Sequence, residues 1–322
     1  MNASLFDPTA NYLRGVQDEI TSALDEIETN GEVFTPDHGE FSTHAPARFV
    51  EENWHHSEAG GSITGGGGRS RGLENGRVIE RGGVNFSDVS GEFSEAMAAS
   101  MPGDSRAFRA SGISLIIHPR NPMAPTVHAN FRVIQRGPAD APERIWFGGG
   151  ADLTPYYLQE EDARHFHETW RTVCNAHSKV ADYGRMKKAC DEYFYLPHRK
   201  EARGIGGIFY DHMEDNPEDV AEFSRAAASS FLDSYLPILR KRMSMEYGPH
   251  ERDFQLMRRG RYVEFNLIHD RGTQFGLRTG GRTRSILMSL PPLAGWRLEE
   301  EPGEGTREAE LIKVLRNPVD WI

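Results

Sequence analysis

The segment from Thr126 to Val133 alternates strictly between apolar and polar residues, and this alternation constrains the fold more than any other feature of the chain. Because successive side chains of a strand point to opposite faces of its sheet, the pattern predicts a strand with one apolar and one polar face. The residues expected in the core are Val127, Ala129, Phe131 and Val133. The polar face carries Thr126, His128, Asn130 and Arg132, which offer a titratable ring, an amide and a fixed cation. We interpret the segment as a strand that lines a functional site.

A second strand is predicted just before it, over residues 111 to 118, because that segment is rich in β-branched and aliphatic residues. Its parity places Ser114 and His118 on one side, and the turn-forming residues 119 to 122 would join the two strands into an antiparallel pair. Their polar faces would then combine into one surface. The same pattern also fits an amphipathic pair with a solvated outer face, which is common in antiparallel sheets.

The rest of the chain predicts short strands in its first half and mainly helices in its second half. Strands are predicted at residues 77 to 81, 83 to 89, 109 to 118, 125 to 135, 143 to 147, 261 to 269 and 285 to 290. Helices are predicted in the N-terminal region of residues 1 to 50 and at 160 to 178, 183 to 195, 217 to 243 and 308 to 316. Because strands and helices mix without regular βαβ alternation, we expect one domain of the α+β class with antiparallel pairing. The glycine-rich residues 58 to 72 lack the phosphate-binding pattern GxxxxGK[ST] and predict a flexible loop, either a plain connection or a mobile lid.

Length, charge and cysteine content bound the class of protein. The 322 residues can bury a sizeable core, and a formal charge of −11 speaks against extended contact with nucleic acid. The sequence has no run of 18 apolar residues and no signal-like N-terminus, so we expect a cytoplasmic protein without a transmembrane segment. Cys174 and Cys190 lack the spacing of a thiolate zinc site, which favours buried thiols.

Three polar segments near predicted strand ends are candidates for a site. They span residues 147 to 155, 198 to 207 and 261 to 272. In the first, Asp152 follows three glycines and can act as an acceptor or base, or can simply cap a tight turn. In the second, Arg203 lies among cations and glycines. The third contains Asp270 and Arg271, a neighbouring pair of a kind that is more often structural than catalytic.

Arginines and histidines add two further hypotheses. Clustered arginines at 258, 259 and 261 indicate either a local anion site or a solvated surface. The histidines considered as metal ligands are His118, His128, His167 and His198. Their spacings are long and no compact metal motif is present, and His167 equally fits a hydrogen-bonded core residue. No nucleophile motif is evident, so the residues by themselves indicate an anion-binding cleft with acids, arginines and a histidine.

Longer motifs carry a resemblance to a known family. They are GVNFS (83 to 87), HANFR (128 to 132), WFGGGADLTP (146 to 155), DEYFYLPHRKEARGIGGIFYD (191 to 211), RRGRYVEFNLIHDRGTQFGL (258 to 277) and GGRTRSILMSLPP (280 to 292). In content and order they resemble the oxygen-dependent coproporphyrinogen III oxidase family. The resemblance spans most of the chain, and the absence of a leader is similar to the bacterial or cytosolic members.

Membership would imply a large flat antiparallel sheet with helices on both faces, a homodimer, and a deep cleft on one sheet face. It would also imply the oxidative decarboxylation of two propionates of coproporphyrinogen III to vinyls, giving protoporphyrinogen IX. The resemblance implies O2 as co-substrate and no organic cofactor. The resemblance also implies that a divalent metal could bind at the four histidines, and whether this chain binds one stays open.

The resemblance implies substrate contacts at Ser114, Asn130, Arg132, Gly280, Gly281 and Arg282, with His128 as the proposed proton donor. To these we add Asp270 and Arg271 as central catalytic groups. Our second choices are Asp152 as a catalytic residue and Arg203 as a substrate contact. Two alternatives remain at this stage. One is a tetrapyrrole-binding protein without catalysis, which needs the arginines alone, and the other is a histidine-dependent metallohydrolase.

Overall fold

A seven-stranded antiparallel sheet organises the structure, a computed structural model that describes residues 5–34, 44–56, 62–100, 103–138, 141–278, 281–298 and 301–322. Its strands are β1 (Val50–His55), β2 (Ile63–Glu74), β3 (Ile79–Glu92), β4 (Ala107–Pro119), β5 (Thr126–Arg136), β6 (Arg144–Thr154) and β9 (Gly207–Met213). Strands β7 (Tyr195–Leu196) and β8 (Glu201–Ala202) form a separate short pair. The order in the sheet is β1-β2-β3-β4-β5-β6-β9, so β4 is the central strand.

Helices pack on both faces of this sheet, which confirms the expected α+β class. They are α1 (Phe6–Asn30), α2 (Glu95–Ser100), α3 (Glu160–Ala176), α4 (Tyr183–Tyr193), α5 (Pro217–Ser229), α6 (Phe231–Arg242), α7 (Pro249–Glu264), α8 (Arg271–Arg278), α9 (Thr283–Ile286) and α10 (Arg307–Arg316). A π-helix (Phe265–His269) continues α7, and a 3-10 turn (Leu287–Ser289) follows α9. No helix in the described ranges combines the length and apolarity that crossing a bilayer requires.

The apolar face of the sheet forms the main core. All four predicted core residues of β5, from Val127 to Val133, are at most 1% exposed. They pack in one cluster with apolar side chains of α1, α3, α5 and α6, including Leu13, Trp170 and Phe223. Burial of these large side chains from water is the main source of the fold's stability. Cys174 and Cys190 are free and buried, as predicted.

The opposite face is open in its middle. Ser114 is exposed although it lies on the central strand of the sheet. A side chain at that position stays exposed only if there is free space above it. The segment of α9 and the 3-10 turn covers the face on one side, where Ser285 Oγ lies 2.9 Å from Ser70 Oγ and the Ser289 carbonyl lies 3.0 Å from His118 Nε2. Helix α4 flanks β9 on the other side.

The glycine-rich segment is a strand, which corrects the prediction of a flexible loop over residues 58 to 72. Residues 57 to 61 lie outside the described residues, but β2 pairs with β1 on one side and β3 on the other. The glycines serve close packing rather than mobility. A Cβ atom at Gly68 would lie 2.5 Å from the indole ring of Trp54. Glycine at position 68 is therefore needed for the Trp54 side chain of β1 to lie across β2.

Two predicted late strands are also wrong. Residues 261 to 269 form the end of α7 and the π-helix, and residues 285 to 290 belong to α9, the 3-10 turn and the residue after them. Their β-branched and aromatic content suggested strands, but tertiary contacts decide the outcome. The predicted helix of residues 217 to 243 is in fact two helices that meet at Ser230.

The arginine cluster on α7 is part of the interior rather than a surface or an anion site. Arg259 Nη1 lies 2.6 Å from Glu80, and Arg258 Nη1 lies 2.8 Å from Glu201. All four side chains are buried. A buried charge is tolerated only when it is paired. Each arginine is therefore held at its glutamate, and the two ion pairs join α7 to β3 and β8.

Candidate active site

The open face of the sheet is a floor made of small residues, and the register of the strands assembles it. Ser114 of β4 lies opposite Asn130 of β5, which lies opposite Gly150 of β6, and His128 lies opposite Asp152. The same face is continued by Gly68, Ser70, Gly72, Gly83, Ser87, Gly112 and Gly148. Side chains cover several of these positions: Gly68 lies against Trp54, Ser70 against Ser285, Gly83 against Met288 and Gly148 against Arg132. The open part of the face is therefore the area around the exposed Ser114. Glycine and serine at alternate strand positions were visible in the sequence, and the sequence analysis missed them.

His128 and Asp152 form a hydrogen-bonded pair on this face. His128 Nδ1 donates to Asp152 Oδ1 over 2.8 Å, which leaves Nε2 of a neutral ring as the acceptor. The His128 side chain is 24% exposed, whereas the Asp152 side chain is 1% exposed. Burial acts to raise the pKa of Asp152, but the charge of Arg203 and the bond from His128 outweigh it, so the pKa lies below its usual value. Asp152 is therefore a carboxylate that orients the imidazole.

Arg203 is the second partner of Asp152, and it is buried rather than exposed to the open space. Its Nη2 lies 2.9 and 2.7 Å from the two oxygens of Asp152, and its Nη1 donates to Asn266 Oδ1 over 2.8 Å. The guanidinium carbon lies 4.1 to 4.8 Å from the ring centres of three aromatic residues. These are Phe194, Tyr262 and Phe265. The geometry makes Arg203 the counter-ion that holds Asp152 in place.

Asp270 and Arg271 stand at the junction of the π-helix and α8. Asp270 Oδ2 accepts from the Thr273 backbone N–H over 2.7 Å and Oδ1 accepts from the Tyr193 hydroxyl over 2.8 Å. Burial acts to raise the pKa of Asp270, but hydrogen bonds from the side chain and the backbone of Thr273 and from Tyr193 outweigh it and keep the pKa below its usual value. Arg271 is exposed, and its guanidinium lies 4.8 Å from the centre of the Tyr193 ring. Among the described residues, no carboxylate lies within ion-pair distance of Arg271.

Arg132 belongs to the same face and is already paired. Its Nη1 donates to Asn130 Oδ1 over 2.8 Å, and its Nη2 lies 2.7 Å from Asp211 Oδ1. Gly148 makes room for this pair, because a Cβ atom there would lie 2.7 Å from Asp211 and 2.8 Å from Arg132. The sequence analysis missed Asp211. Asp211 is the last residue of the motif at 191 to 211, but nothing in its local sequence indicates that it pairs with Arg132 of another strand.

Arg282 lies toward the β1 edge of the face. It forms an ion pair with Glu52, and its guanidinium carbon lies 6.0 Å from the centre of the Trp54 ring. The backbone N–H of Gly281 donates to the Gly276 carbonyl over 2.7 Å, which folds the chain back after α8. Gly280 lies outside the described residues. The structure thus brings the cations at 132, 271 and 282 to the open side of the sheet from different elements.

The structure does not bring the four predicted metal ligands together within one chain. His118 is bonded to Thr126 Oγ1 (3.1 Å) and to a backbone carbonyl, and burial lowers its pKa to about 3. His167 is bonded to Tyr183 and to a carbonyl, and burial lowers its pKa to about 4. Across the described ranges, no group of three His, Cys, Asp or Glu side chains has the geometry to hold a metal ion.

The fourth histidine, His198, lies in a separate cluster. Its Nε2 is 2.8 Å from Glu264 Oε2, and its Nδ1 is 3.1 Å from His269 Nε2. Both ring nitrogens of His118, His167 and His198 therefore have partners within the protein. Only His128 of the four has its second nitrogen directed to the open face, because its first is held by Asp152.

The sequence of the chain is similar to that of one known protein family. A family model described as Coproporphyrinogen III oxidase matches residues 9–321. The chain is 45% identical over 316 residues to a protein of Francisella tularensis subsp. novicida, covering 97% of both chains. It is 48% identical over 314 residues to a protein of Coxiella burnetii, covering 97% of this chain and 94% of the relative. Both relatives are named oxygen-dependent coproporphyrinogen-III oxidase. The matches span every residue of the site.

Proposed function

The chain belongs to the coproporphyrinogen III oxidase family, and we propose that it is the oxidoreductase that converts coproporphyrinogen III to protoporphyrinogen IX with molecular oxygen. Two propionate side chains lose CO2 and become vinyl groups, as a step of porphyrin and haem synthesis. For each one, a propionate, O2 and one proton give a vinyl group, CO2 and H2O2. The substrate supplies both electrons, so the balance requires no further reductant.

The observation that carries the proposal is the exposed Ser114 at the centre of the sheet, on a floor of small residues next to His128. A flat tetrapyrrole needs such a surface and cations at its rim for its propionates. Arginine suits this role because its planar fork binds carboxylates in bidentate fashion. We propose that Arg271 and Arg282 bind propionates there. Among the described residues, Arg271 has no carboxylate partner within the protein.

We assign the central chemistry to Asp270. As a carboxylate it accepts a pyrrole N–H, which raises the electron density of the ring so that O2 adds to a ring carbon as a hydroperoxide. Loss of a proton from the propionate carbon next to the ring then expels peroxide and leaves the ring oxidised by two electrons. Cleavage of the bond to the carboxylate returns an electron pair to the ring, releases CO2 and leaves the vinyl group. His128 manages protons near neutral pH, with Asp152 and Arg203 fixing its orientation.

The experiment that tests this function is an incubation of the protein with coproporphyrinogen III in air and, separately, under nitrogen. We expect protoporphyrinogen IX, separated as its porphyrin, and CO2 in air only. A protein that binds the tetrapyrrole but releases no CO2 would instead be a binding protein, the alternative considered above. The family match and the named relatives favour the enzyme.

The proposal extends to assembly and location. We expect one domain, because one main core cluster on a single sheet contains residues from α1 to α10. We expect a homodimer, since β1 is an outer strand and apolar side chains at Leu293, Trp296 and Leu298 are exposed. Light scattering coupled to gel filtration tests the dimer. Cell fractionation tests the expected cytoplasmic location.

A further inference from the structure

We propose that Tyr193, the last residue of α4, is a positioning residue that holds both Asp270 and Arg271 for the reaction. The inference rests on the proposed function, because it concerns two residues to which that function assigns central roles. Tyr193 comes from an element that is distant in sequence from α8. Its local sequence gives no reason to expect a role, and only the fold brings it to this corner of the site.

A single phenol makes three contacts with the two residues. Its hydroxyl donates to Asp270 Oδ1 over 2.8 Å. The same oxygen accepts from the Arg271 backbone N–H over 3.2 Å. The guanidinium carbon of Arg271 lies 4.8 Å from the ring centre, within the range of a cation–π contact. The hydroxyl therefore fixes the Asp270 carboxylate and the start of α8, and the ring face limits the position of the Arg271 guanidinium.

The Tyr193 ring is itself held by aromatic neighbours. It stacks on Phe209 of β9 with ring centres 4.4 Å apart and planes at 11°. The Phe194 ring meets it edge-on at 4.8 Å, and the Phe265 ring does so at 5.9 Å. Packing of this kind locks the orientation of an aromatic side chain. Arg271 is exposed, so the Tyr193 ring, together with the Phe209 ring whose centre lies 6.0 Å from the guanidinium carbon, limits the orientations of its side chain.

Asp270 depends on Tyr193 for one of its two oxygens. The other oxygen accepts from the Thr273 backbone N–H and so caps α8, and the Thr273 side chain adds a further hydrogen bond to the carboxylate. The ionisable groups that influence Asp270 from neighbouring elements are His128 of β5, Arg203 after β8 and Tyr262 of α7, besides Tyr193 itself. Without the phenol O–H, burial still disfavours the carboxylate while one hydrogen bond to it is lost. The Asp270 carboxylate should then take up its proton at a higher pH.

The test compares Tyr193→Phe with Tyr183→Phe. Tyr183 begins the same helix, is partly buried like Tyr193, and also makes a 2.8 Å side-chain hydrogen bond, to His167 in the core. We expect the acid limb of turnover against pH to move to higher pH in Tyr193→Phe. In buffer near the ordinary aspartate pKa of 3.8, turnover should fall about three- to tenfold, since a hydrogen bond to a charged group is lost. The profile of Tyr183→Phe should keep its shape. An acid limb in Tyr193→Phe that coincides with the wild-type limb would overturn the proposal.

A second variant separates the ring from the hydroxyl. Phe209→Leu removes the stacking partner and keeps the Tyr193 O–H, so KM should rise severalfold while the acid limb stays in place. If Tyr193→Phe fails to fold, Phe209→Leu still tests the proposal, because an unchanged KM in that variant would refute the role of the Tyr193 ring. An infrared titration of the carboxyl band that is lost in Asp270→Asn reads the protonation of Asp270 without turnover. Inactivity of the wild-type protein would refute the proposed function, whereas this titration would still decide the role of Tyr193.

Discussion

His128 and Asp152 lie directly opposite each other on β5 and β6, and the imidazole donates from Nδ1 to the carboxylate over 2.8 Å. The carboxylate fixes the tautomer, so the second nitrogen of the ring faces the open side of the sheet. Behind it, Arg203 supplies a buried counter-charge. The same chain of contacts therefore links His128, which we propose handles protons, to an ion pair in the interior.

His128→Ala and Asp152→Asn are expected to separate these two roles. The first removes a partly exposed ring and should lower turnover about 10²- to 10⁴-fold with little change in stability. The second leaves the buried charge of Arg203 without its counter-ion and should cost about 3–5 kcal/mol of unfolding free energy. Turnover assays and urea unfolding measure both quantities. Equal destabilisation by the two substitutions would contradict this division of roles.

Asp270→Ala should abolish turnover and leave binding of coproporphyrin measurable, because the carboxylate acts on the reacting ring rather than on the propionates. Fluorescence titration gives the affinity and CO2 release gives the rate. Asp253→Ala is a suitable control, since Asp253 pairs with Arg297 on the surface. Wild-type turnover in Asp270→Ala would remove Asp270 from the mechanism.

Asp211→Asn should strengthen substrate binding. In the structure Asp211 neutralises Arg132, and a propionate must displace it to reach the guanidinium. Loss of this competing charge should lower KM severalfold. The effect on stability should stay within about 1 kcal/mol, because both side chains are partly exposed. A raised KM would show instead that Asp211 orients Arg132 for binding.

Glu80→Gln should destabilise the protein strongly and change its response to acid. Burial acts to raise the pKa of Glu80, but Arg259 and Arg252 lower it to about 2. Its stabilising effect is therefore complete above the unfolded-state pKa of about 4.5 and is lost as pH falls toward 2. Breaking this buried pair should cost about 3–5 kcal/mol near pH 7. In urea unfolding between pH 5 and pH 2, as rough bounds, the variant should lose less stability than the wild type does.

Chelator-treated protein with no measurable metal is expected to retain turnover. The reason is structural: His118 and His167 use both ring nitrogens in hydrogen bonds inside the protein. Elemental analysis and an assay of the same sample give the answer. Loss of activity that returns on addition of a divalent cation would contradict this expectation.

The sequence predicted best the part of the candidate site that lies on β5 and its neighbour β4. Alternation along β5 gave the two faces correctly, and the pairing of Ser114 with Asn130 follows from the short connection between β4 and β5. Both features are local, so a single stretch of sequence contains them. The family resemblance supplied the reaction, which no local pattern could give.

The failures share a physical cause, which is contact between distant segments. Asp211 and Tyr193 gain their roles only through partners more than 70 residues away along the chain. The segment of residues 261 to 269 has the composition of a strand, but buried ion pairs of the preceding turn hold it in a helix. The glycines of β2 suggested mobility because glycine has freedom in isolation, whereas the ring of Trp54 and two paired strands remove that freedom here.

A floor of glycine and serine also bears on how the family can vary. Next to Ser114 and Asn130, the positions Gly112 and Gly150 present peptide groups in place of side chains, and peptide groups keep their positions when individual residues change. Changes in ligand preference should therefore concentrate in the side chains that stand on and beside this face, such as Arg132 and Arg282, whereas a larger residue at Gly148 would have to displace the pair of Arg132 and Asp211.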